Sequence, residues 1–183
     1  MDQPTLATTH PPSGFSLVEQ LACLAVVAVL TTLAVPAMSG LLTRSATRST
    51  ADTLFRAAHV ARTYAITHDS DTLLCPSLDG HRCDASHGWQ ANWIVARDRN
   101  HDGQPDIAPI LRLQPSAHTR VAGTRGRDHV RFRPDGSAAG TNLTLIVCAA
   151  ASAPAHAVVI SNTGRVREAP ASADEKSRCT SSK

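Results

Sequence analysis

The stretch from residue 14 to 42, GFSLVEQLACLAVVAVLTTLAVPAMSGLL, constrains this chain more than any other. Residues 21 to 38 are 18 consecutive positions without a formal charge. As a helix rising 1.5 Å per residue, such a run reaches about 27 Å, close to the thickness of a bilayer's hydrocarbon core. It reads as a membrane segment. Glu19 stands near its start, and a carboxylate left unpartnered in lipid costs on the order of a few kcal/mol. Glu19 is therefore expected to pair with something specific, and the amino terminus of a neighbouring subunit suits. Pro36 removes one backbone donor late in the run and bends or loosens the helix there. A secretory signal is a poorer account, because residues 1 to 14 carry no Lys or Arg and no AxA-like site follows at the right distance.

Orientation is contested within the sequence. Arg44, Arg48, Arg56 and Arg62 all follow the apolar run, so a positive-inside count places the C-terminal part in the cytoplasm. The cysteines point the other way. Cys23 lies in the run, which leaves Cys75, Cys83, Cys148 and Cys179, a set that allows three pairings. The short hop from Cys75 to Cys83 is rich in Pro, Gly and Asp and suits a local bridge. Cys148 then pairs with Cys179 and ties down a Ser- and Ala-rich tail. Two bridges imply an oxidising compartment, and the absence of CxxC or tight Cys/His spacing speaks against zinc.

Residues 43 to 67 keep a helical pattern, with Leu54, Ala57, Ala58, Ala61 and Ala65 on one face and Arg48, Arg56 and Arg62 largely on the other. The helix is expected to continue out of the membrane as an amphipathic segment, 43–70, and to end at His68, Asp69, Ser70 and Asp71. Beyond it the pattern changes to short strands near 72–76, 89–97, 109–114, 128–133, 143–149, 156–161 and 165–168. Gly136 and Gly164 mark turns, the second inside a hairpin. The fold class is α+β: a long N-terminal helix packed on an antiparallel β-sheet head domain, 71–183, of ordinary domain size.

Gly14, Phe15 and Glu19 together form a Gly-Phe pair followed four residues on by an acid, opening an apolar helix. In this the chain resembles the type IV pilin-like proteins. The resemblance implies a leader, 1–14, that a prepilin peptidase removes between Gly14 and Phe15. It also implies N-methylation of Phe15, pairing of Glu19 with an amino terminus during assembly, and a helix at 15–42 that spans the membrane and later forms filament core. The GFSLVE start, Gly88 and Trp89, the acidic turn at 98–106 and the closing VVISNTGRVR resemble the FimT/GspH branch, FimT most. Implied partners are other pilins or pseudopilins, the peptidase and the inner membrane, with the head in the periplasm and then on the cell-surface pilus.

The acidic turn, with Asp98, Asn100, Asp102, Gly103 and Asp106, has the alternating oxygens and the glycine of a calcium loop, but Pro109 stands where a bidentate Glu is needed. A tight strand connection demands the same residues, so no metal and no cofactor is expected. The nine histidines include no ligand pair such as HxxxH. No GxSxG, P-loop or nucleophile beside a base is present either, so the chain is not expected to be an enzyme.

What remains is binding. Arg165 and Arg167 follow Gly164, and alternate residues of a strand face one way, so two guanidiniums stand about 7 Å apart on one side. That spacing suits successive phosphates, which guanidinium forks bind bidentately. The backbone at Gly164 is expected to be open to close approach, and Lys176 and Arg178, held by the Cys148–Cys179 bridge, to extend the patch. Within the FimT group, GRxR is associated with DNA binding in natural transformation, and the match here is GRVR. A second basic segment, residues 120–133, holds five arginines against one acid, Asp128. Residues 110 to 183 carry 11 basic and 5 acidic residues, an excess of six. Arg131 and its neighbours are expected to alternate outward, with Val130 and Phe132 inward. Binding to DNA would be sequence-independent and would weaken with salt. The alternative reading is a structural pseudopilin of a type II secretion system, GspH-like and without DNA binding, its arginines only guarding a sheet edge.

Overall fold

Ser16 starts the first helix: its hydroxyl accepts the Glu19 backbone N–H at 3.2 Å, satisfying one of the donors that a helix start leaves free. A computed structural model of the chain describes residues 16–149 and 154–181. Helix α1, Leu17–Thr67, is 51 residues long. The chain divides into two compact units, Met1–Ser39 and Gly40–Lys183. In the first, Leu17, Leu21, Val27 and Leu30 lie exposed along the helix, and Glu19 is exposed in its first turn. Among the described residues no helix is long and apolar enough to cross a membrane. Gly14 and Phe15 lie outside the described residues, as do the side chains at 33–37 and 39.

In the second unit the face of α1 that carries Ala51, Leu54, Ala57, Ala58, Ala61 and Ala65 is fully buried. The helix ends where Asp69 turns left-handed at φ 46° and the Ser70 N–H reaches back to the Ala65 carbonyl at 3.2 Å. Eight strands follow among the described residues: β1 Thr72–Ser77, β2 Asn92–Arg97, β3 Leu111–Leu113, β4 Arg120–Ala122, β5 Val130–Phe132, β6 Leu143–Cys148, β7 His156–Ile160 and β8 Val166–Pro170. A short helix, α2, spans Ala173–Ser181. The strands form two antiparallel sheets, ordered β3-β2-β1-β5 and β4-β6-β7-β8. This is the α+β arrangement.

Alternation along the strands builds one core. Leu74, Trp93, Val95, Val130 and Phe132 of the first sheet and Val121, Leu143, Leu145, Val158, Ile160 and Val166 of the second join the buried face of α1 in a single apolar cluster. The intervening residues of β1 and β2, Leu73, Cys75, Ile94 and Ala96, are buried on the opposite face. Disulfides join Cys75 to Cys83 and Cys148 to Cys179. Cys179, Cys148 and Ile146 form a second small apolar cluster on the outer face of the second sheet, where α2 packs on β6 and β4.

Three elements depart from the expected layout. Strand β4 is absent from it, and the tail after residue 172, expected only to be tied down by the Cys148–Cys179 bridge, is also a helix. Residues 88–90 form a single 3-10 turn, so β2 begins at Asn92.

Leu54 is wholly buried at the centre of the alanine stripe. Leu54→Ala is expected to cost about 2–5 kcal/mol through lost apolar contact and the cavity left behind. At roughly 2–4 °C per kcal/mol, thermal unfolding should show a clear fall in Tm.

Candidate nucleic-acid interface

The hairpin between β7 and β8 places the two arginines of the GRVR segment. Gly164 N–H donates to the Ser161 carbonyl at 2.8 Å, and Ser161 N–H donates to the Arg165 carbonyl at 3.0 Å. The third turn position needs a left-handed backbone, and Gly164 supplies it at φ 77°. Val166 is buried in the core, while Arg165 and Arg167 on either side are exposed. Both guanidiniums therefore leave the outer face of the sheet at its β8 edge. Arg167 stands opposite the half-buried Val159 of β7.

Gly164 itself is not open to a ligand. It is buried, and a Cβ added there would lie 1.8 Å from the Gly136 carbonyl oxygen and 3.1 Å from Arg62 Nε. That same carbonyl accepts the Arg62 Nε–H at 2.9 Å. The Gly136 turn, also left-handed at φ 78°, thus backs directly onto the Gly164 turn, and one side chain of α1 secures it. The expectation of an accessible backbone at Gly164 is corrected: this glycine sets the direction of the arginines by close contact and touches nothing outside.

Helix α2 opens with a reciprocal cap. Ser172 N–H donates to Glu175 Oε2 at 2.8 Å, and Glu175 N–H donates to Ser172 Oγ at 3.2 Å. The Ser172 N–H above all holds the Glu175 carboxyl below the usual range; burial opposes it, and the Ser172 hydroxyl and the guanidiniums of Arg178 and Arg167 add to the lowering. The S-x-x-E spacing is the signal that sequence reading overlooked. Lys176 is half-buried on this helix. Arg178, one residue before the bridged Cys179, lines an open cleft of about 520 Å³ together with Arg125, Arg127 and Trp89. Arg178 therefore reaches the cleft at the β4 edge of the sheet, while it and Arg167 both act on the Glu175 carboxyl.

The other arginines divide by use. Arg131 is only a quarter exposed, and its Nη2 lies 3.0 Å from the buried Asp98 carboxylate and 3.1 Å from the His101 carbonyl. It was expected to point freely outward; the 98–106 loop covers it instead. Asp98 also accepts the Asp102 and Gly103 N–H groups at 3.1 and 3.2 Å, and Asp106 accepts the Arg99 N–H at 2.6 Å. These oxygens serve the turn and its arginine. Among the described residues no His, Cys, Asp and Glu cluster is built to hold a metal ion.

A family model described as Type II transport protein GspH matches residues 50–164. No curated protein matches the chain in sequence. Two solved structures of the type IV minor pilin FimU from Pseudomonas aeruginosa are similar to it. One has a TM-score of 0.58 at 17% identity over 69% of this chain and 90% of that one. The other has a TM-score of 0.54 at 16% identity, over 67% and 92%. The minor pseudopilin EpsH from the type II secretion system of Vibrio cholerae is similar with a TM-score of 0.50 and 12% identity, over 72% and 99%. At such identities the likeness is one of fold.

Two outcomes are expected. Gly164→Ala forces a side chain onto the Gly136 carbonyl at a left-handed position, and should lower stability by at least about 2 kcal/mol in denaturant unfolding. For Glu175 the folded carboxyl titrates low, so its contribution to α2 is complete above the ordinary glutamate pKa and is lost as pH falls through the depressed value. Amide exchange of α2 should therefore quicken in acid relative to that of β6, and Glu175→Gln should flatten that difference.

Proposed function

The chain belongs to the GspH family of type IV pilin-like minor subunits, and we propose that it is a FimT-like minor pilin that binds DNA for uptake in natural transformation. One observation carries the reading: Arg165 and Arg167 are both exposed on the same outward face of an edge hairpin, because the residue between them is anchored in the core. Their spacing of about 7 Å suits neighbouring phosphates. With only 3% aromatic residues, stacking on bases is minor, so the contact is electrostatic and indifferent to sequence.

The amino-terminal half of the reading rests on sequence. Cleavage between Gly14 and Phe15, methylation of Phe15 and pairing of Glu19 with a neighbouring amino terminus follow from the GFSLVE segment. The 15–42 helix then holds the protein in the inner membrane until it joins a pilus, with the head outside the cytosol. The two disulfides support that placement, since such bonds persist in oxidising compartments.

The second reading is a structural pseudopilin of a type II secretion filament. The description of the matching family model favours it. DNA retardation by the full chain in detergent separates the two. The wild type should bind, and Arg165→Ala with Arg167→Ala should weaken binding by about 10- to 100-fold, the scale of one to two charge-assisted hydrogen bonds. The slope of log affinity against log salt should shrink by about two. Absence of DNA binding by the wild type leaves the secretion reading.

A further inference from the structure

Three arginines from two separate elements line one cleft at the β4 edge of the second sheet. Arg125 and Arg127 come from the loop after β4, and Arg178 comes from α2; all three line the cleft of about 520 Å³. The order β4-β6-β7-β8 puts three strand spacings between this edge and β8, about 14 Å. Arg120 belongs to the same outer face. Its neighbour Val121 enters the core, and its partner across the ladder is Cys148, whose sulfur is bonded to Cys179.

The cleft is built before any ligand arrives. Trp89 is buried, and its Nε1–H donates to the Arg127 carbonyl at 2.8 Å. The indole also lies against Gly123, where an added Cβ would be 2.3 Å from a ring carbon. Between these two points the loop closes with the Arg127 N–H on the Thr124 carbonyl at 3.1 Å, and Gly126 takes φ 71°. The backbone under both arginines is thereby held, which reduces the ordering cost of binding. The disulfide does the same for Arg178. A single carboxylate lines the cleft, Asp128, and its Oδ1 is 2.9 Å from His129 Nδ1. With Glu175 also close to Arg178, the three arginines exceed the nearby carboxylates by one.

We propose that this cleft is a second phosphate site, taking the phosphodiester backbone of the same nucleic acid that meets Arg165 and Arg167, so that one strand skirts α2 on its way from the β4 edge to the hairpin. The proposal rests on the DNA-binding reading for its ligand class. Guanidinium forks suit phosphate, and an open cleft with little aromatic surface suits a polymer backbone better than a base.

The test uses the full chain in detergent with a 24-nucleotide DNA. Arg125→Ala with Arg127→Ala should lower affinity about tenfold and reduce the salt slope by about two, in addition to the effect of removing the hairpin pair. Arg125→Lys with Arg127→Lys keeps the charge and should retain most of the slope, an outcome that a merely folding-related loss would not give. If DNA binding depends on Arg165 and Arg167 while the loop variant binds like the wild type, the cleft proposal falls alone. If the wild type binds no DNA, both readings fall. If polyglutamate of equal charge displaces DNA as well as DNA itself does from the Arg165→Ala, Arg167→Ala variant, the cleft takes carboxylates and the proposal is overturned.

Discussion

Two sheets can share one helix only where that helix offers a surface they can both approach closely. Ala51, Ala57, Ala58, Ala61 and Ala65, around Leu54, form that surface, and all are buried. Small side chains lose almost no rotamer freedom on burial. Larger groups, Trp93, Phe132, Leu143, Leu145 and Ile160, then fill the space from the sheet side. Everything functional follows from this contact. Once the inner face of the second sheet is committed to α1, Val166 must point inward, and the alternation of β8 sends Arg165 and Arg167 outward.

The arginines show how the same residue type is put to opposite uses. Arg62 and Arg131 are spent inside the protein, on the Gly136 carbonyl and the Asp98 carboxylate. Each satisfies a group that would be costly to leave unpaired. Arg165 and Arg167 are exposed, as are Arg120, Arg125 and Arg127. Exposed positive charge therefore stands at both edges of the second sheet, in addition to that of Arg44, Arg48 and Arg56 on α1. Such a distribution raises the local concentration of polyanions and speeds their encounter, in a manner that salt attenuates.

Much of this was readable in the chain, and the misreadings have particular causes. The alanine stripe and most of the strands announced themselves through periodicity, because a long buried face repeats the same demand many times. Strand β4 has only three residues among glycines and threonines, too few for a pattern. Helix α2 is polar almost throughout; it is held by the Ser172 and Glu175 cap and by one buried cysteine, so its order comes from a bond to a strand 31 residues away. Arg131 looked free because strand alternation names a face but not what covers it. Gly164 looked accessible for a similar reason: its turn is local, whereas the Gly136 carbonyl behind it belongs to another turn.

The sequence by itself determined the apolar amino-terminal run, the helix stripe that follows it, the strand alternation and the pair of arginines after a glycine, since each is a matter of residue order and spacing along a few turns. Only the tertiary structure decided which cations remain exposed, that Arg178 lines one cleft with Arg125 and Arg127, and that Gly164 is a packing contact. The reason is distance along the chain. Periodicity reports on neighbours within one element, while burial and charge pairing depend on segments that come together only when both sheets close on the helix.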